Sequence, residues 1–326
     1  MRLAMIVTLL AAVPVFAQAP AKAAAAKTWT QAARTPDGQP DLQGIWTNPT
    51  ITPFERPPEL AGKAYLTEQE AAELEKRAAA QNSEDAPGRP GDVGAYNRFW
   101  FDSGTKVVGT RQSSLVVDPP DGRVPVKPSA EAKRDYDAAH ITDSYEYMSL
   151  WDRCITRGVP GAMFPAGYNN AYHIVQIPGY VVILSEMIHN ARVIPLDGRP
   201  HAPAGVRLWD GDPRGHWEGN TLVVETTNYN GKGWISTSAA GGRIKGIPQS
   251  EALRVVERFT RVDAGTIRYE VTIDDPNVYT KPWKVLIPLS REEDYTIYEY
   301  ACQEGNEAIG NILRGGRAVD AKQSAK

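Results

Sequence analysis

The chain has 326 residues, of which 42% are hydrophobic and 23% charged, proportions that exclude an intrinsically disordered chain and a polytopic helical membrane protein. Its 36 lysines and arginines against 39 acidic residues give a net charge of −3, which excludes the basic field that a nucleic-acid partner would need. At ~150 residues per domain the length fits one large domain or two ordinary ones.

The first expected element is a secretory leader. Arg2 supplies the positive start, an apolar run reaches Phe16, and Val15-Phe16-Ala17 has the small-x-small form of a cleavage site. Residues 1–17 therefore read as a signal peptide, and the localisation as periplasmic or secreted. The run falls short of the ~20 apolar residues of a membrane span and is broken by Pro14, so no stable membrane insertion is expected. Residues 18–40, Ala-rich at 19–27, read as a flexible tether. Residues 41–313 read as a single β-barrel domain with an N-terminal extension, and 314–326 as a disordered tail.

Helix is scarce. Thr67-Glu68-Gln69-Glu70 is a capping-box pattern ahead of a helix over 71–80, and a second short helix fits 129–140. Between them, Pro- and Gly-rich residues 81–94 predict a mobile loop. Residues 96–101, with four aromatic side chains in six positions, predict a pocket wall or lid.

From Asp41 onward the dominant signal is short β-prone runs separated by Gly, Pro, Asn and Asp, the mark of antiparallel β structure. Strands are expected around Trp46 and at 114–118, 173–177, 180–187, 192–196, 283–288 and 295–301. Two hairpins add to these. In the first, 215–218 and 221–227 flank the turn Gly219-Asn220; Trp217, Leu222 and Val224 fall on a core face, and Arg214, His216, Glu218 and Glu225 on a polar one. In the second, 253–261 and 266–274 enclose 262–265, and Ile267, Tyr269, Val271 and Ile273 alternate along one face. Pairing Arg261 with Thr266 would set Arg258 opposite Tyr269 on that apolar face; a slip of one residue would turn it outward. About ten strands suffice to close a barrel. The expected fold is all-β, mainly antiparallel, a barrel with a helical or irregular N-terminal extension.

No G-x-S-x-G, G-x-x-x-x-G-K, H-E-x-x-H or dinucleotide-binding glycine pattern is present. Polar residues cluster instead between Tyr168 and Glu225. His189 stands at a strand-to-strand turn, three residues after Glu186 and three before Arg192. Such a histidine can exchange a proton near neutrality, oriented by Glu186, with Arg192 or Arg258 stabilising an anion; the plain alternative is a turn histidine bonded to backbone. The candidate catalytic set is thus His189, Arg192 and Glu186. The candidate ligand-binding set is Tyr168, Asn169, Asn170, His173, Arg258 and His216, although on an outward face His216 would join an ordinary ladder of ion pairs. No two histidines have local ligand spacing, so neither a metal nor another cofactor is expected. In an exported chain, Cys154 and Cys302, the only two cysteines, are expected to join as a disulfide, with two buried free thiols as the alternative.

At these residues the chain resembles a family of secreted, largely uncharacterised bacterial proteins. The resemblance is carried by Tyr168-Asn169-Asn170, Glu186-Met187-Ile188-His189, Ile194-Pro195-Leu196-Asp197-Gly198-Arg199-Pro200-His201, Tyr300-Ala301-Cys302 and a long motif from Arg214 to Asn228. That motif reads R-G-H-W-E-G-N-T-L-V-V-E-T-T-N here, with Asn220 where the family has Asp. The likeness spans residues 41–313. Gln303 stands where the family has His, which would remove any role that histidine has. The family implies no particular reaction, and its β pattern is similar to lipocalin-like (calycin) barrels, which suggests small-molecule binding. The leading expectation is an exported lipocalin-like barrel binding a small apolar or aromatic molecule in its lumen, with Tyr168, Asn170, His189 and Arg192 near the mouth. The alternatives are a cofactor-independent lyase, isomerase or hydrolase, and a structural envelope interaction protein.

Overall fold

A computed structural model describes residues 33–81, 101–102 and 104–325. The expected signal peptide, tether residues 18–32, loop residues 82–94 and aromatic residues 96–100 lie outside the described residues.

Runs that alternate apolar and polar side chains form ten strands of one antiparallel sheet. They are β1 (Gly44–Thr47), β2 (Val116–Asp118), β3 (Ala171–Ile177), β4 (Tyr180–Ser185), β5 (Ala191–Pro195), β6 (Asp212–Glu218), β7 (Thr221–Thr227), β8 (Arg254–Arg261), β9 (Thr266–Asp274) and β10 (Trp283–Arg291). The hydrogen-bonded order is β5-β4-β3-β1-β10-β9-β8-β7-β6, with β2 added beside β10. The path curls into a nearly closed barrel whose seam lies between β5 and β6. Gly215 of β6 allows this close approach, because a Cβ there would meet Leu196 Cδ2 at 2.6 Å and Ile194 Cγ2 at 2.8 Å.

Pro288 sits within β10, where a proline would cost a ladder bond if both edges were filled. Two residues earlier, the Leu286 N–H donates to the Leu115 carbonyl (2.9 Å) on the β2 side, so residue 288 faces the same side. There β2 pairs with Lys284 and Val285, and β1 only with Ser290 and Arg291. The proline falls in the gap between them.

The first hairpin has the expected register, with Glu218 opposite Thr221, Trp217 opposite Leu222 and Arg214 opposite Glu225. Among its two turn residues only Gly219 has positive φ (59°), as in a type II′ turn. The Asn220 carboxamide is thereby free to accept from Arg34 (3.1 Å). Leu222 and Val224 are fully buried, whereas Trp217 is half-buried against the core. The second hairpin slips by one: Arg261 pairs with Ile267, and Arg258 with Glu270. Arg258 accordingly leaves the apolar face and bonds Glu218 on the outer surface (2.8 Å). The slip follows from the alternation of β8, which turns Val255, Glu257, Phe259 and Arg261 inward.

Helix α1 (Glu68–Gln81) opens with the expected capping box: the Glu70 N–H donates to Thr67 Oγ1, and the Thr67 N–H to Glu70 Oε2. Helix α2 (Pro128–Ala139) has proline at its first position. Two expectations are corrected. Residues 295–301 form no ladder; they run as an irregular strap over one end of the barrel. Residues 308–324, which include most of the expected disordered tail, form helix α3 (Ala308–Ser324), where Ala, Leu, Arg, Lys and Gln favour helix over the penalty of its glycines.

The barrel interior is filled by side chains. Trp46, Tyr172, Phe259, Tyr269 and Trp283 are fully buried, together with the inward aliphatic rows of β9 and β10. One ionic group lies among them. Arg192 of β5 meets Glu257 of β8 through both terminal nitrogens, Nη1 to Oε1 at 3.0 Å and Nη2 to Oε2, and Tyr269 donates to Glu257 Oε1 (2.9 Å).

Candidate functional site

One end of the barrel, where β4 ends and β5 begins, is covered by two irregular segments, 148–170 and 292–307. The Cys154–Cys302 disulfide joins them, with Cα atoms 5.5 Å apart and a sequence separation of 148. Cys154 has φ of 52°, an uncommon left-handed conformation for a residue with a side chain. Beside the disulfide opens a cleft of about 560 Å³, walled by Trp151, Tyr168 and Tyr300 and edged by Asp152, Glu299 and Asn306. Tyr168 is central to its aromatic wall: its ring lies 6.1 Å from Trp151, 6.4 Å from Tyr300 in stacked orientation, and 6.2 Å edge-on from Phe101.

The turn from β4 to β5 shapes the inner side of this end. Ile188 and His189 both have positive φ, 63° and 40°, so the chain reverses sharply. Glu186 is left pointing inward (1% exposed) and His189 outward. Glu186 Oε1 accepts from the Tyr295 hydroxyl and the Tyr298 N–H, while Oε2 is buried without a partner. The Tyr295 phenol is pushed up by burial, then by its bond to the Glu186 carboxylate. The His189 ring donates from Nδ1 to the Tyr300 carbonyl (2.9 Å), fastening the strap. Asn190 donates to Thr156 Oγ1 (3.0 Å) and Asp210 Oδ2 (2.6 Å), and Thr156 donates to Asp210 Oδ1 (2.8 Å). This network fixes the chain immediately before Arg157.

Arg157 is buried at the base of the covering segment, 3% exposed. Its Nε donates to Thr237 Oγ1 (3.3 Å), and Nη2 is buried without a partner. Burial pushes its pKa down, and the nearby phenols of Tyr172, Tyr168 and Tyr300 oppose that only in part. Tyr172 extends from β3 into the top of the barrel interior and donates to the Ala162 carbonyl (2.9 Å). Burial raises its phenol to about 12, with Arg157 pulling the other way.

The expected catalytic set is not assembled. Glu186 binds Tyr295 and Tyr298, His189 binds a backbone carbonyl, and Arg192 is committed to Glu257 inside the barrel. Arg192 is therefore no mouth residue: strand alternation turns it inward, and it is buried. Of the expected ligand-binding residues, Tyr168 lines the cleft. Asn170 instead braces the loop beneath it, accepting from the Ala166 N–H (2.8 Å) and donating to the Asp102 and Ala166 carbonyls, and Asn169 supplies a positive-φ turn (51°). His173 is half-buried on the outer side of β3. His216 and Arg258 lie on the outer face, both bonded to Glu218. The slipped register accounts for Arg258, and the hairpin register for His216. Sequence reasoning missed Arg157, Trp151, Tyr295 and Tyr300. One signal for Arg157 was present: no acidic residue lies between Asp152 and Glu186 to pair with it locally.

Among the described residues no group of three His, Cys, Asp or Glu side chains converges as a metal site, and no helix is long and apolar enough to cross a membrane. Comparison with protein-family models, with curated proteins and with solved structures found no match.

Proposed function

We propose that the protein binds a small molecule with an aromatic or apolar body, and that the molecule is taken at the end of the barrel rather than in the lumen. The observation that carries this reading is the aromatic cleft beside the disulfide. Its volume lies within the ~300–1,000 Å³ usual for small-molecule sites, and its three rings offer an apolar surface to a ligand beside an edge of polar groups. The interior, by contrast, is filled by packed aromatic and aliphatic side chains, with Tyr269 bonded to Glu257. Lipocalin-like kinship and export belong to the same proposal. A disulfide closing so long a loop suits an oxidising compartment, and the leader at residues 1–17 supplies the route.

The test is a fluorescence titration with N-phenyl-1-naphthylamine, a neutral aromatic dye that brightens in apolar sites. Saturable binding at one site per chain is expected, weakened about tenfold or more in Trp151→Ala. Binding that does not saturate, or that is unchanged in Trp151→Ala, would remove the cleft from consideration.

A further inference from the structure

We propose that the molecule taken in this cleft is an organic anion, its carboxylate or sulfonate received by the Arg157 guanidinium. The inference rests on the cleft reading and adds the charge of the ligand to it.

Four arginines are buried among the described residues: Arg56, Arg157, Arg192 and Arg261. Three are well partnered. Arg56 donates to Ser113 Oγ and the Pro120 carbonyl. Arg192 forks onto Glu257. Arg261 donates to the carbonyls of Asp263, Asp41 and Ala264. Arg157 has one long bond, to Thr237, and a buried terminal nitrogen with nothing to donate to. A guanidinium withdrawn from water without an opposing charge is costly, and proteins normally pair it. An unpaired one, anchored by Thr237 on a segment that the Thr156–Asp210–Asn190 network fixes, is suited to receive a planar, two-oxygen anion.

Its position links it to the cleft. It does not line the cleft itself but stands three residues after Cys154, in the covering segment that also supplies Trp151 and Tyr168 to the cleft wall, and the phenols of Tyr168 and Tyr300 lie near enough to act on its charge. An anion whose ring stacks against Trp151 would reach the guanidinium once the Tyr168 and Tyr300 rings move aside. The surroundings make the prediction selective. The cleft is edged by Asp152 and Glu299, and the whole chain carries a net charge of −3, so general electrostatics disfavour an anion there. A preference for one reports a local cation.

Two dyes of nearly the same shape decide the matter. 1-Anilinonaphthalene-8-sulfonate is N-phenyl-1-naphthylamine with a sulfonate added. The wild-type protein is expected to bind the sulfonate at least tenfold more tightly than the neutral dye. In Arg157→Met that ratio should fall to about one, and melting temperature should hold or rise, because an uncompensated buried cation has been replaced by an apolar side chain; a merely structural arginine would lower it. Arg153→Gln, which removes a cation stacked on Tyr145 and Trp209 outside the cleft, should leave the ratio unchanged. If Arg157→Met fails to fold, Arg157→Lys serves instead and should cut the ratio at least threefold by losing the fork. Equal binding of the two dyes by the wild type, a ratio insensitive to Arg157, or a ratio lost in Arg153→Gln would overturn the inference while leaving the cleft reading standing. Failure of both dyes to bind would remove both.

Discussion

Arg192 shows how far position along the chain can differ from position in space. It stands one residue into β5, close to the strand's turn, yet alternation directs its side chain into the barrel, where it meets Glu257. Burial opposes its charge, but the Glu257 carboxylate and its hydrogen bonds outweigh that and raise its pKa above the ordinary arginine value. Removing one partner strands the other in an apolar interior. Arg192→Met is therefore expected to cost about 3–5 kcal/mol in urea denaturation, while Arg192→Met combined with Glu257→Leu recovers most of the loss. Equal destabilisation by the single and double variants would mean that the pair is not mutually compensating. His189 differs in kind: exposed, with one bond to the Tyr300 carbonyl, it holds the strap and stays out of the core.

Among the elements, the sheet β6-β7-β8 separates two kinds of stabilisation. Its inner face is aliphatic and aromatic apart from Glu257 and Arg261 of β8; its outer face carries Glu218 with His216 and Arg258, and Glu225 with Arg254. Exposed pairs of this sort contribute little. Asp212, at the start of β6, is more shielded and ties the 200–202 loop to the strand: its carboxylate accepts from the Ala202 N–H (2.8 Å), the His201 ring (3.1 Å) and Arg214 (2.6 Å). Burial works against its ionisation, but these donors prevail and hold the carboxyl below its ordinary range. A carboxyl lowered by folding contributes stability that is complete above the unfolded pKa of ~4 and is lost as pH falls through the folded value. Urea midpoints should thus fall as pH drops below ~4, and Asp212→Asn should flatten part of that fall. A variant with an unchanged acid profile would show that Asp212 contributes nothing to it.

The same elements show what the sequence makes legible. The first hairpin could be read to the residue, because a two-residue turn fixes register by itself. The second has a four-residue connection, which leaves two registers and both faces open to Arg258, and the structure takes the one that turns it outward. The capping box located α1 because its chemistry is local. The strap 295–301 was misread as a strand because its aromatic residues suit strand or irregular chain alike, and only its attachments to Glu186 and Cys154 decide between them. The candidate site was legible at Tyr168 but hidden at Trp151 and Arg157, nearby in the same irregular segment, and at Tyr300, which reaches them only by contacts across more than 100 residues of chain.

For the whole molecule, the barrel is packed through its interior, and the proposed site lies at one end. The disulfide contributes up to about 5 kcal/mol on loop-entropy grounds, and it also pins the strap that completes the cleft wall. The central claim is that this end, and not the lumen, receives a small molecule. Soaking crystals with 4-iodophenol and mapping the anomalous scattering of iodine tests it most directly. The account predicts one strong peak among Trp151, Tyr168 and Tyr300, lost in Trp151→Ala. A peak among the inward side chains of β8, β9 and β10, or none near the disulfide at saturating ligand, would contradict it.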